Sequence, residues 1–174
     1  MPHRARWSDW IYEGHVVHVG EASRQIAERF GGDPDLAEAA GLLHDIADAE
    51  IPREDPQNEI RSLEMARELL AKTGFTKEEI EIVVDDAILH HSCRGGDRPQ
   101  TPEGKAMAAG DAYAHLATDF YFVVEEGRKS FQTPQEIAEF VLPKIERDFT
   151  NKIAFDELRE EVRPLYERLV AHFT

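Results

Sequence analysis

The sequence predicts an all-α, single-domain bundle of about seven helices, and three observations carry that prediction. Apolar residues recur at three- and four-residue intervals through most of the chain, the spacing that lines one face of a helix. Start and stop signals punctuate the runs. Asp33-Pro34, Thr76-Lys77-Glu78-Glu79, Thr101-Pro102 and Thr133-Pro134-Gln135-Glu136 open them, while Gly31-Gly32 and Gly74 close them. No stretch alternates apolar and polar residues as a half-buried strand does.

The first helix runs from about Ser8 or Asp9 to Phe30, with Ile11, Val19, Ala22, Ile26 and Phe30 inward. His15 lies on that stripe and His18 near its margin. A second helix opens at Asp33-Pro34 and ends soon after His44-Asp45; residues 51–57, with two prolines, form a loop. A third spans about Asn58 to Lys72 and turns Leu63, Ala66, Leu69 and Leu70 inward. The fourth starts at the Thr76 capping box, carries Ile80, Val83, Val84, Ala87 and Ile88, and reaches His90-His91. After a loop over 92–100, a long fifth helix runs from Thr101 to about Glu126, ending at Gly127. Ala108, Asp111, His115 and Leu116 share one of its faces. The sixth starts at Thr133 and the last covers Phe155 to Phe173; Pro143 and Pro164 are expected to kink or interrupt them.

Composition narrows the partners. With 174 residues, 41% hydrophobic and 32% charged, the chain reads as an ordinary globular domain. No apolar run approaches the ~20 residues that span a bilayer, so no membrane partner is expected. The first residues show no signal peptide. The single cysteine, Cys93, excludes an internal disulfide framework and points to the cytoplasm. A net charge of −15 repels a phosphate-rich polymer, so no nucleic-acid partner is expected. A small phosphorylated substrate stays compatible, because a bound cation reverses the potential locally. Oligomeric state is left open.

The chemistry centres on Ala39-Ala40-Gly41-Leu42-Leu43-His44-Asp45-Ile46-Ala47-Asp48. Neighbouring helical positions diverge by about 100°, so His44 and Asp45 can converge on one ion lying between their directions. Imidazole with carboxylate suits Mn, Fe, Ni, Zn or Mg. Inward positions elsewhere supply further candidates: His15, either His90 or His91, and Asp111. Burying a lone carboxylate such as Asp111 is costly unless it is paired or ligated, and a cation held among facing helices answers that need.

Three segments in this order resemble the HD-domain metal-dependent phosphohydrolase superfamily. They are Tyr12-Glu13-Gly14-His15-Val16-Val17-His18-Val19, Gly41-Leu42-Leu43-His44-Asp45-Ile46-Ala47 and Lys105-Ala106-Met107-Ala108-Ala109-Gly110-Asp111-Ala112. The resemblance covers roughly residues 8–120 and implies His15, His44, Asp45 and Asp111 as core metal ligands. It favours His15 over His18, which is left to contact substrate phosphate or to be a solvated helix residue. Ala87-Ile88-Leu89-His90-His91-Ser92 resembles the segment that gives dinuclear members an extra histidine, with His91 the better match, as a ligand or a group positioned towards substrate, and His90 left near substrate. Such members usually carry another histidine where this chain has Asn58, which favours one metal over two.

Asp48 stands where many members have lysine. That is similar to the mononuclear nucleotidase and alarmone-hydrolase branches, and it makes Asp48 a candidate general acid or base or, alternatively, a surface carboxylate. Lys105, six residues before Asp111, matches a lysine seen in several relatives and can meet a phosphate oxygen, or is one exposed lysine near a helix start. Arg94 and Arg98 can close over a substrate phosphate. The resemblance implies hydrolysis of a nucleotide or related small phosphate ester, with the divalent metal acidifying a water. The alternatives are a metal- and ligand-binding signalling module and a di-iron oxygenase of the same fold.

Overall fold

The computed structural model describes residues 10–174, and the predicted start of the first helix at Ser8 or Asp9 lies outside them. Eight α-helices and no strand occur among the described residues. A π-type turn, Tyr12–Val16, leads into α1 (Val17–Phe30), followed by α2 (Pro34–Leu43) and a 3₁₀ turn, Ile46–Ala49. Then come α3 (Asn58–Thr73) and α4 (Lys77–Ile80), which continues as a π-type segment, Glu81–Ile88. The second half holds α5 (Pro102–Ala117), α6 (Phe120–Arg128) and α7 (Pro134–Arg147), then a π-type turn, Asp148–Lys152, and α8 (Asp156–Phe173).

The capping chemistry is in place. The Asp33 side chain accepts from the amides of Asp35 and Leu36. Thr76 with Glu79 and Thr133 with Glu136 each close a reciprocal capping box. The predicted fifth helix is in fact two. Thr118 leaves helical geometry after Ala117, and its hydroxyl donates to the Ala114 carbonyl at 2.7 Å. The chain restarts as α6, which runs through Gly127 instead of stopping there. This break adds one helix to the predicted count and turns Phe120 back towards the site. Pro143 and Pro164 interrupt nothing: α7 and α8 continue through them. Both prolines are solvent-exposed, so water can satisfy the carbonyls that lose an amide partner.

Helix α5 is the centre. Ten of its residues are buried, the pattern of a helix enclosed on most sides. Ala106, Ala109, Ala112 and Leu116 pack into one apolar cluster with α7 and α8, while Met107 and Ala114 join another with α2, α3 and the α4 segment. Glycines set the helix spacing. A Cβ on Gly41 would stand 2.9 Å from the Gly20 Cα, and one on Gly110 would stand 2.7 Å from the Ser23 amide nitrogen. Helices α1, α2 and α5 therefore touch backbone to backbone beside His15, His44 and Asp111. Among the described residues no helix is long and apolar enough to cross a membrane.

Candidate metal centre

Three imidazoles surround one carboxylate oxygen. Asp111 Oδ1 lies 3.4 Å from His15 Nε2, 3.4 Å from His115 Nε2 and 3.9 Å from His44 Nε2. It is buried and has no hydrogen-bond partner. His44 Nε2 also lies 3.1 Å from Asp45 Oδ2. Three overlapping trios, His15–His44–Asp45, His44–His91–Asp111 and His15–Asp111–His115, each bring their ligand atoms within 4.8 Å of one another. Bonds of roughly 2 Å to one ion need donor atoms about 3–4 Å apart. The donor set fits a divalent cation.

Three of the four histidines are oriented from behind, whereas His15 Nδ1 is buried without a partner. His44 Nδ1 donates to the Gly41 carbonyl at 2.8 Å, and His91 Nδ1 donates to the Ile88 carbonyl at 2.7 Å. A carbonyl can only accept, so both rings carry the proton on Nδ1 and leave the Nε2 lone pair free to ligate. His115 Nδ1 donates to Asp148 at 2.9 Å. His15 and His115 stack with ring centroids 4.7 Å apart, and Phe120 packs on both rings.

Burial is the largest influence on His15, His44, Asp45, His91 and Asp111. It holds His15 down to about 4, against the pull of Asp111. His91 is held at about 4 by burial and then by His44. For His44, burial opposes the charge but Asp45 and Asp111 outweigh it and raise the pKa. Burial also lifts both carboxyls towards the neutral form, and charge reverses it. His44 and Arg53 hold Asp45 low, while His115 and Lys152 hold Asp111 well below the usual range. Neutral His15 and His91 with ionised Asp45 and Asp111 are the protonation states a metal ligates.

Asp48 is buried; it accepts from Asn58 Nδ2 at 2.9 Å and lies 3.4 Å from Arg53. Burial first, opposed by Arg53 and reinforced by Asp45, leaves its pKa raised. The Arg53 guanidinium also pairs directly with Asp45. His90 turns away from the centre to Asp97 at 2.8 Å, and Arg94 pairs with Glu59 at 3.1 Å. His18 is exposed, as is Lys105.

A family model for the HD domain matches residues 12–116. The chain belongs to the HD domain family. Proteins named Ribonuclease Y are similar over part of their length. That of Alkaliphilus metalliredigens (strain QYMF) is 36% identical over 98 residues, 56% of this chain and 18% of the relative. Those of Aliarcobacter butzleri (strain RM4018) and Fervidobacterium nodosum (strain ATCC 35602 / DSM 5306 / Rt17-B1) are 33% and 34% identical, over 17% of each. The chain thus spans less than a fifth of the length of these curated relatives. No solved structure matches it.

Sequence reasoning missed four residues around this HD site. His115 was visible on the Asp111 face, four residues on, but without a reason to single it out. Arg53 sits in a proline-rich loop whose path no pattern gives. Asp148 and Lys152 lie outside the stretch that the HD family model matches. Lys152 is buried, pairs with Asp111, and lies 3.2 Å from Asp148; Tyr121 donates to Asp148 at 2.5 Å.

Proposed function

We propose that this HD domain is a divalent-metal-dependent phosphohydrolase acting on a nucleotide or related small phosphate ester. The observation that carries the reading is the orphaned Asp111 oxygen facing three Nε2 atoms at 3.4–3.9 Å. His15, His44, Asp45 and Asp111 would hold the ion, with His91 and His115 flanking them. A cation there supplies Lewis-acid polarisation of a phosphate oxygen and a more acidic water.

The chain's own residues do the rest. Asp45, held ionised between His44 and Arg53, orients the water. Asp48 is the neighbouring group whose raised pKa suits it to take up and return a proton. Arg53 spans both carboxylates and offsets their charge. With Asn58 bonded to Asp48, that guanidinium supports one cation over two. The cytoplasmic location read from the lone cysteine belongs to the same proposal.

The relatives' name favours a second reading, cleavage of an RNA phosphodiester. The charge of −15 weighs against a long polyanion, so short substrates are the form in which this reading is tested.

The experiment is metal-dependent release of phosphate from a panel of nucleotides and short oligonucleotides, with metal content measured on the same samples. His44→Ala and Asp45→Ala should lose both metal and turnover, and full turnover in either variant refutes the assignment. Intact ligand bound at the metal with no product supports a binding module instead. Two irons per chain with oxygen uptake supports the oxygenase.

A further inference from the structure

Beside the metal centre, a cleft of about 240 Å³ opens between the 92–101 loop, the start of α5 and the Asp148–Lys152 turn. Its walls carry Arg98, Gln100, Lys105, Asn151 and Lys152. Lys152 belongs to both places: it lines this cleft and pairs with Asp111.

The charge of the cleft is unusual for this chain. Acidic residues outnumber basic ones by 35 to 20, and most arginines and lysines among the described residues are ion-paired. Among the described residues neither Arg98 nor Lys105 meets a carboxylate; Arg98 instead donates to the Asn151 side chain at 3.3 Å. The nearby acids are committed elsewhere. Asp97 holds His90, and Glu103 accepts from the Asp33 amide at 2.8 Å. Asp86 accepts from the amides of Gln100 and Thr101 at 2.8 and 2.9 Å, which braces the loop that carries Arg98. Arg147 adds positive charge close by: it opposes the charge on Lys152, and its Nε is buried without a partner.

Arg98 on the braced loop and Lys105 at the start of α5, neither engaged by a carboxylate among the described residues, line one cleft with the Gln100 and Asn151 amides and make a site for an anion with several acceptor oxygens. Because Lys152 lines the cleft and pairs with Asp111, an anion held there is one side chain from whatever occupies the metal centre. We infer that the cleft binds a second phosphoryl group of the substrate, so that the preferred substrate is a small ester carrying two phosphates. The second half of this inference rests on the phosphohydrolase reading; the anion site does not.

Two measurements separate the halves. In amide NMR spectra of the full chain, with and without Mg²⁺, inorganic phosphate should shift Arg98, Gln100, Lys105 and Asn151. Those shifts should vanish in Arg98→Gln/Lys105→Gln, whose substitutions are on exposed side chains. No shift in the native chain, or an unchanged shift in the variant, overturns the anion site. Kinetics then compare a nucleoside 5′-monophosphate, a nucleoside 5′-diphosphate and a nucleoside 3′,5′-bisphosphate, which distinguishes a pyrophosphate from a separate second phosphate. In the variant the ratio of kcat/KM for the doubly to the singly phosphorylated substrate should fall about tenfold, through KM. An unchanged ratio overturns the second-phosphate role. Absence of any turnover, with the NMR shifts intact, overturns the phosphohydrolase reading and with it the substrate assignment, and leaves the anion site standing.

Discussion

His115 donates its Nδ1 proton to Asp148 across 2.9 Å, and its Nε2 consequently faces Asp111 Oδ1 at 3.4 Å. A carboxylate behind a histidine fixes both tautomer and ring angle. Loss of such a partner typically weakens metal binding 10–100-fold. Asp148→Asn should lower metal affinity by about that factor, measured by chelator competition, while His15, His44 and Asp45 are left unaltered. Unchanged affinity would remove His115 from the site.

Lys152 separates two buried carboxylates, Asp111 and Asp148. Lys152→Met leaves them facing each other without a cation, a change that costs roughly 3–5 kcal/mol in buried pairs. The metal-free variant should melt well below the native chain. Added divalent cation should recover more Tm in the variant than in the native chain, because it restores the missing positive charge.

Gly41 admits α1 at backbone contact, with the Gly20 Cα 2.9 Å from where a Cβ would stand. That neighbour is backbone and cannot rotate away. Gly41→Ala should cost about 1–3 kcal/mol in urea denaturation. It should also weaken metal binding, since it moves His44 away from His15.

The pH dependence follows from His15 and His91. Burial foremost holds both near 4 in the folded chain, from a usual 6.5. Between those values the unfolded chain binds protons that the folded chain refuses. The stability these two contribute is therefore full above 6.5 and is lost as pH falls towards 4. His44 has a raised pKa and runs oppositely, with its contribution lost as pH rises through it. For metal-free protein, urea midpoints should fall between pH 6.5 and 4, and His91→Gln should flatten that slope.

Part of the site was legible before any coordinates. Periodicity puts His15 and Asp111 on inward helix faces, a helix end supplies His44 and Asp45, and the order of the four carries the HD resemblance. His115 was on the correct face yet unremarkable, since one histidine beside an alanine-rich stripe has no distinguishing pattern. The Thr118 break left no trace, because helical periodicity resumes at Phe120. Arg53 and Lys152 were out of reach for different reasons: Arg53 returns to Asp45 from an irregular loop whose path no spacing records, and Lys152 reaches Asp111 from 41 residues away.

Local sequence by itself determined most of the helices, their caps, most of the apolar faces (Leu69, expected inward, is exposed) and the residues chemically able to ligate a cation. These depend on interactions within a few residues, which spacing records directly. Only the tertiary structure decided that Asp111 would be shared by three imidazoles and Lys152, and that Arg98 and Lys105 would line a cleft where, among the described residues, no carboxylate meets them. Such pairings join helices distant in the chain, and the charge balance at each point is set by which carboxylates the fold has already engaged.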